Sequence, residues 1–169
     1  MTNTSRPTPS TFPVLAIAGI CVIVDQVSKW WALSSLVPGE YHALVGQFFG
    51  IQLISNPGAA FSLGDGHTWI FTVIAAVVVI GAWWILGRIT NRAWRVTIAV
   101  FLGGAIGNLI DRLIQPPAFA RGHVIDFLAY SNWFVGNIAD IFLVGAALAI
   151  GGLTIASVPL EYREVADES

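Results

Sequence analysis

The chain has 169 residues, 56% of them hydrophobic and only 11% charged, with a formal net charge of -2 and a mean hydropathy of +0.74. A water-soluble domain carries about 25% charged residues, so this composition leaves too little polar surface for a globule in water. No basic run or aromatic-basic motif supports nucleic-acid binding, the single Cys21 excludes an intramolecular disulfide, and the scattered His42, His67 and His123 give no zinc-site spacing.

A helix needs about 20 mostly apolar residues to cross the hydrocarbon core, and four segments qualify. The first runs from about Pro13 to Leu33. It follows Arg6 but ends in Asp25, Gln26, Ser28 and Lys29 without a small-residue cleavage site, so it reads as a retained span rather than a signal peptide. The link from about Pro38 to His67 is rich in glycine, and its stretch Phe48 to Ile54 is β-prone and partly alternating, which predicts a small strand-like element. The second span, Trp69 to Leu86, carries no charge. A short link with Arg88, Arg92 and Arg95 leads to the third span, about Val96 to Ile114.

Pro116-Pro117 then stops the helix and opens a second long link to Gly136, read as a loop, whose Phe119, Phe127, Tyr130, Trp133 and Phe134 suit the headgroup region. The fourth span runs from about Ile138 to Val158. The cation-rich link, with Arg6 and Arg163 in the tails, places that link and both termini in the cytoplasm and the two long links outside. The expected fold is an all-α polytopic membrane protein, one domain over residues 1–169. It has four transmembrane helices, a small β-like element and a short helical or loop segment on the outer face, and cytoplasmic tails at 1–12 and 159–169.

Ionised groups inside spans cost about 2.5–3.5 kcal/mol each on insertion scales, so they mark function by default. Here Asp25, Lys29, Asp111, Arg112 and Asp140 all fall in the outer half of the expected spans, with Asp126 in the adjoining link. Asp25 and Lys29 are spaced i, i+4 and read best as a structural ion pair. Asn108 with Asp111, and Asn137 with Asp140, are spaced i, i+3, so each Asn can steady the carboxylate beside it. Asp126 and Asp140 can approach across the outer interface. Two carboxylates about 4 Å apart repel by about 4 kcal/mol at an effective dielectric of 20, so they tend to share one proton, the condition for paired acid and base work. A proton- or ion-coupled transporter using Asp25, Lys29, Asp111 and Arg112 as a relay is the competing reading, and a non-catalytic assembly subunit a third.

Five segments in order resemble the lipoprotein signal peptidases (type II signal peptidases) of bacteria. They are Asp25-Gln26-Val27-Ser28-Lys29, Asn56-Pro57-Gly58-Ala59-Ala60-Phe61-Ser62, the run Gly103 to Arg112, Gly122-His123-Val124-Ile125-Asp126-Phe127, and Asn137-Ile138-Ala139-Asp140. The resemblance implies a monomeric enzyme of the bacterial inner membrane with its active site near the outer face. It implies cleavage of prolipoproteins before a diacylglyceryl-modified cysteine without metal or cofactor, and inhibition by globomycin. By motif match Asp126 and Asp140 take the catalytic positions, and Asn56, Gly58 and Arg112 those that meet substrate. Asp25, Lys29, Asn108, Asp111 and Asn137 take supporting positions. The last segment departs from the family pattern, with Gly136 where Phe is usual and Ile141 where Ser is frequent, and Pro57 fills a variable position.

Overall fold

The structure is a computed structural model and describes residues 10–58, 68–131 and 133–161. The tail cations Arg6 and Arg163, most of both expected tails, and residues 59–67, which include Ala59, Ala60, Phe61 and Ser62, lie outside the described residues.

Four helices, α1 (Phe12–Ser35), α2 (Trp69–Leu86), α3 (Arg92–Ile114) and α4 (Ile138–Ile155), are each long and apolar enough to cross a membrane. Pro13 sits in the first turn of α1, where its missing N–H costs nothing. α3 begins earlier than its apolar run because the Asn91 side chain accepts a hydrogen bond from Ala93 N at 2.9 Å and caps the helix. α4 stops at Ile155, short of the expected Val158. There Ser157 turns to a left-handed φ of 53°, and Val158 N donates to the Leu153 carbonyl, closing the helix in a Schellman turn.

α3 is the hub. It packs against α1, α2 and α4, and 56% of its apolar window is buried against 11% of that of α4. The outward faces carry large apolar side chains such as Ile23, Trp30, Val77, Ile80, Val144 and Leu148, a surface suited to lipid rather than water. Glycines let α3 approach its neighbours. A side chain at Gly103 would strike Cys21 and the Ala18 backbone of α1, and one at Gly104 would lie 2.7 Å from the Ala139 carbonyl oxygen of α4.

The links α1–α2 and α3–α4 meet at one end of the bundle, as connectivity requires. They form a four-stranded antiparallel sheet of β1 (His42–Val45), β2 (Phe49–Asn56), β3 (Val124–Tyr130) and β4 (Phe134–Gly136), in that spatial order. The strand expected near residues 48–54 is β2. The 116–136 link, read as a loop, instead supplies the two strands β3 and β4, so the sheet is drawn from both links. Every residue of β3 up to Ala129 is buried, which removes the in-out alternation that would announce a strand. A cluster of Ala32, Leu53, Ile125, Phe127 and Leu128 ties the sheet to α1.

The opposite end is closed by polar links to the backbone. Trp94 Nε1 donates to the Val158 carbonyl at 2.9 Å, and Arg95 donates to the carbonyls of Ile89 and Ser10 at 3.0 and 2.8 Å. Gly104→Leu is expected to force α3 and α4 apart at a cost of roughly 1–3 kcal/mol, read as a lower unfolding temperature in detergent.

Candidate active site

Lys29, on α1, is 2% exposed and points into the bundle. Its ammonium lies 2.8 Å from Asp25 Oδ2, 2.8 Å from Asp111 Oδ2 and 2.9 Å from Asn108 Oδ1, which uses all three of its donors. Gln26 completes the cluster, donating at 3.1 Å to Asp25 Oδ2, Asp111 Oδ1 and the Gly107 carbonyl. The expected Asp25–Lys29 pair therefore exists, inside a larger buried network that also takes in Asp111.

The two carboxylates of this cluster also accept from backbone N–H groups. Asp111 Oδ2 accepts from Ile125 N at 3.1 Å, and Asp25 Oδ1 accepts from Ala139 N at 2.9 Å. These are the residues immediately before Asp126 and Asp140. Each buried carboxylate thus pins the peptide that carries one member of the candidate dyad.

Asp126 lies in the middle of β3, not in a loop, and is 2% exposed. Asn56 Nδ2, at the end of β2, donates to its Oδ2 at 2.7 Å, and Asn137 Nδ2 donates to its Oδ1 at 2.6 Å. Asp140 is in the first turn of α4, where Asn137 and Asp140 form a capping box. The Asn137 side chain accepts from Asp140 N at 3.0 Å, and Asn137 N donates to Asp140 Oδ2 at 3.1 Å. Asp140 Oδ1 accepts from Asn108 Nδ2 at 2.9 Å. Asn137 is therefore bonded to both carboxylates at once.

The asparagine partners differ from the i, i+3 expectation. Asn108 gives its amide to Asp140 rather than to Asp111, and Asn137 gives its amide to Asp126. The physical reason is geometric: Asp111 is already filled by Lys29, Gln26 and Ile125 N, so Asn108 turns outward to a helix that has an oxygen to offer. Burial pushes the Asp126 carboxyl up from 3.8 to about 6. The amides of Asn56 and Asn137 oppose that rise, the charge of Asp140 adds to it, and Lys29 opposes it weakly.

Arg112 is half-buried at the end of α3. Its Nη1 lies 3.4 Å from the Pro57 carbonyl, and its guanidinium carbon sits 5.4 Å from the centre of the Phe71 ring. Asn56 Oδ1 accepts from Gly58 N at 2.8 Å, a tight turn in which Gly58 has a φ of +102°. A side chain at Gly58 would meet Arg112 and Phe71 at under 3 Å, so strain and crowding both require glycine. Asn56, Gly58 and Arg112 therefore stand together beside Asp126. Gln26 and Phe71 were not singled out from the sequence. Gln26 stood in the Asp25–Lys29 segment, while Phe71, in an apolar span, gave no signal.

The arrangement offers two carboxyl groups joined through one asparagine, whose side chain reaches Asp126 and whose backbone N–H reaches Asp140, with a cation nearby. It suits water activation paired with proton donation. Lys29→Met would leave Asp25 and Asp111 buried without their counter-charge, with an expected loss of about 3–5 kcal/mol, measured by thermal unfolding in detergent.

Comparison with known proteins follows the same lines. A family model described as signal peptidase (SPase) II matches residues 17–155. The chain is 38% identical over 177 residues to a lipoprotein signal peptidase of Mycobacterium avium, covering 97% of each. It is 41% identical over 142 residues to one of Mycobacterium leprae, covering 84% of this chain and 71% of that one. A solved structure described as a bacterial membrane enzyme superposes with a TM-score of 0.74 at 26% identity, covering 91% of this chain and 94% of that one. A second, described likewise, gives 0.73 at 27% identity.

Proposed function

The chain belongs to the signal peptidase II family, proteases that remove signal peptides from prolipoproteins, and we propose that it does this by aspartyl chemistry with Asp126 and Asp140 as the dyad. The observation that carries the reading is the double attachment of Asn137, whose side chain holds Asp126 and whose backbone N–H holds Asp140. Such a bridge keeps two carboxyl groups in one place and one orientation. The attacking group is a water molecule. One carboxylate takes its proton as it adds to the scissile carbonyl, and the other carboxyl protonates the leaving amine. The raised Asp126 carboxyl makes a stronger proton acceptor than an ordinary aspartate.

Asn56 and Arg112 frame the substrate main chain. Pro57 biases Asn56 toward an extended backbone, and β2 lays that residue alongside Asp126. The substrate is a precursor with a diacylglyceryl cysteine, the enzyme acts as a monomer in the inner membrane of a bacterium, and globomycin blocks it. Both termini are cytoplasmic and the sheet and dyad face outward, a reading supported by Arg88, Arg92 and Arg95 in or beside the link at the opposite end of the bundle. The transporter reading gains nothing, since Asp25, Lys29 and Asp111 bond to one another rather than line a path.

Asp126→Asn and Asp140→Asn are each expected to give folded, inserted protein that releases no peptide from a synthetic diacylated precursor in detergent, where the unsubstituted chain does so and globomycin stops it. Full turnover by either variant removes the dyad. The acid limb of kcat/KM is expected near pH 6, because Asp126 must lose its proton to act as base. The Asn56 amide stabilises the charged carboxylate, so Asn56→Ala should move that limb to higher pH, apart from any change in KM.

A further inference from the structure

α2 carries no charge, yet polar side chains are buried where it begins. Thr68 and Thr72 are spaced i, i+4 and so share one face. Thr68 Oγ1 donates to the Arg121 carbonyl at 3.1 Å, and Thr72 Oγ1 donates to the Ala120 carbonyl at 2.9 Å. The turn that holds those carbonyls is itself fastened to the end of α3, where Gly122 N donates to the Arg112 carbonyl at 2.9 Å. The start of α2 is therefore tied to the residue that carries the guanidinium of the site.

Phe71 lies between the two threonines in sequence and, three residues after Thr68, on the same side of the helix. The guanidinium carbon of Arg112 is 5.4 Å from its ring centre, within the roughly 6 Å over which a ring face attracts a cation. A Cβ at Gly58 would lie 2.8 Å from Arg112 Nη2 and 2.9 Å from Phe71 Cδ2, so Gly58 packs into the corner between cation and ring. Little else holds the guanidinium. Its bond to the Pro57 carbonyl is long, at 3.4 Å, and among the described residues no salt bridge includes it. A carboxylate partner would fix the group but would occupy its N–H donors. An aromatic ring attracts the cation and leaves those donors for another acceptor.

We propose that Phe71 is a positioning residue for the peptidase reaction: its ring seats the Arg112 guanidinium beside Gly58, with N–H donors left for a main-chain carbonyl of the substrate. The inference rests on the lipoprotein peptidase reading given above. An arginine side chain has much rotamer freedom, and seating it before the substrate arrives reduces the ordering that binding would otherwise demand. The contribution therefore falls on KM. The carboxyl groups are held by Asn56, Asn108 and Asn137, so the chemical step is left to them.

The test follows peptide release from a synthetic diacylated precursor by the full chain in detergent. Phe71→Leu keeps apolar bulk and removes the ring face, and is expected to raise KM about fivefold with kcat within about twofold of the unsubstituted value. Phe71→Tyr keeps the face and should restore KM. A trifluorinated phenylalanine at position 71 keeps the ring while drawing negative charge from its face, and should raise KM by about twofold or more. It decides the matter alone should Phe71→Leu not fold. A KM unchanged by the fluorinated ring overturns the assignment, and if Phe71→Leu still raises KM, Phe71 acts by packing only. A fall in kcat at constant KM overturns it as well. If the unsubstituted chain releases no peptide, the peptidase reading itself has failed, and the assignment of Phe71 falls with it.

Discussion

The Lys29 ammonium, held by two carboxylates and an amide in the interior of the bundle, is the interaction on which the site depends. A lone buried charge at this depth would cost more than any single contact returns. Paired, it becomes a rigid joint between α1 and α3, in which Asp25 and Asp111 still accept from other elements. Asp111 Oδ2, which also faces Lys29, takes the N–H of Ile125, and Asp25 Oδ1 takes that of Ala139. The cluster thus converts the cost of buried charge into placement of β3 and α4, the two elements that carry Asp126 and Asp140. The close approach needed for such short bonds comes from Gly107, where a side chain would run into the Asp25 carboxylate.

Around the dyad the same logic continues with neutral groups. Lys29 orients Asn108, whose amide then holds Asp140, and Asn137 holds Asp126 while capping α4. Both carboxyl groups are therefore fixed by donors whose own acceptor atoms are already engaged. Among the described residues, no buried side-chain nitrogen or oxygen lacks a partner, the condition under which a polar network inside an apolar bundle rigidifies rather than weakens it.

Much of this was legible in the sequence. Four helices long and apolar enough to span a membrane follow from apolar length and from lipid's refusal to satisfy free backbone groups, and the Asp25–Lys29 spacing foretold an ion pair on one helix face. The strand near residues 48–54 could be read because its alternation survives on a half-buried strand. β3 could not, since burial on both sides erases that pattern, and so Asp126 was expected in a loop. The asparagine pairings were legible as to residue but not as to partner. Local spacing tells which side chains share a face, while the oxygen each amide meets is set by helices whose packing distance the sequence does not state.

The departures from the family pattern then take on a physical meaning. Ile141 places an apolar side chain one residue after Asp140, where a serine is frequent. Gly136 removes a side chain one residue before Asn137, at the same place. Ile141 makes the flank of Asp140 more apolar and Gly136 makes it more open, and neither residue supplies the amides that hold the carboxyl groups. Asp140 can keep its bond to Asn137 N because no Cβ at position 136 competes for the space. The buried network fixes where the two carboxyl groups stand, and the residues at 136 and 141 form the surface beside Asp140.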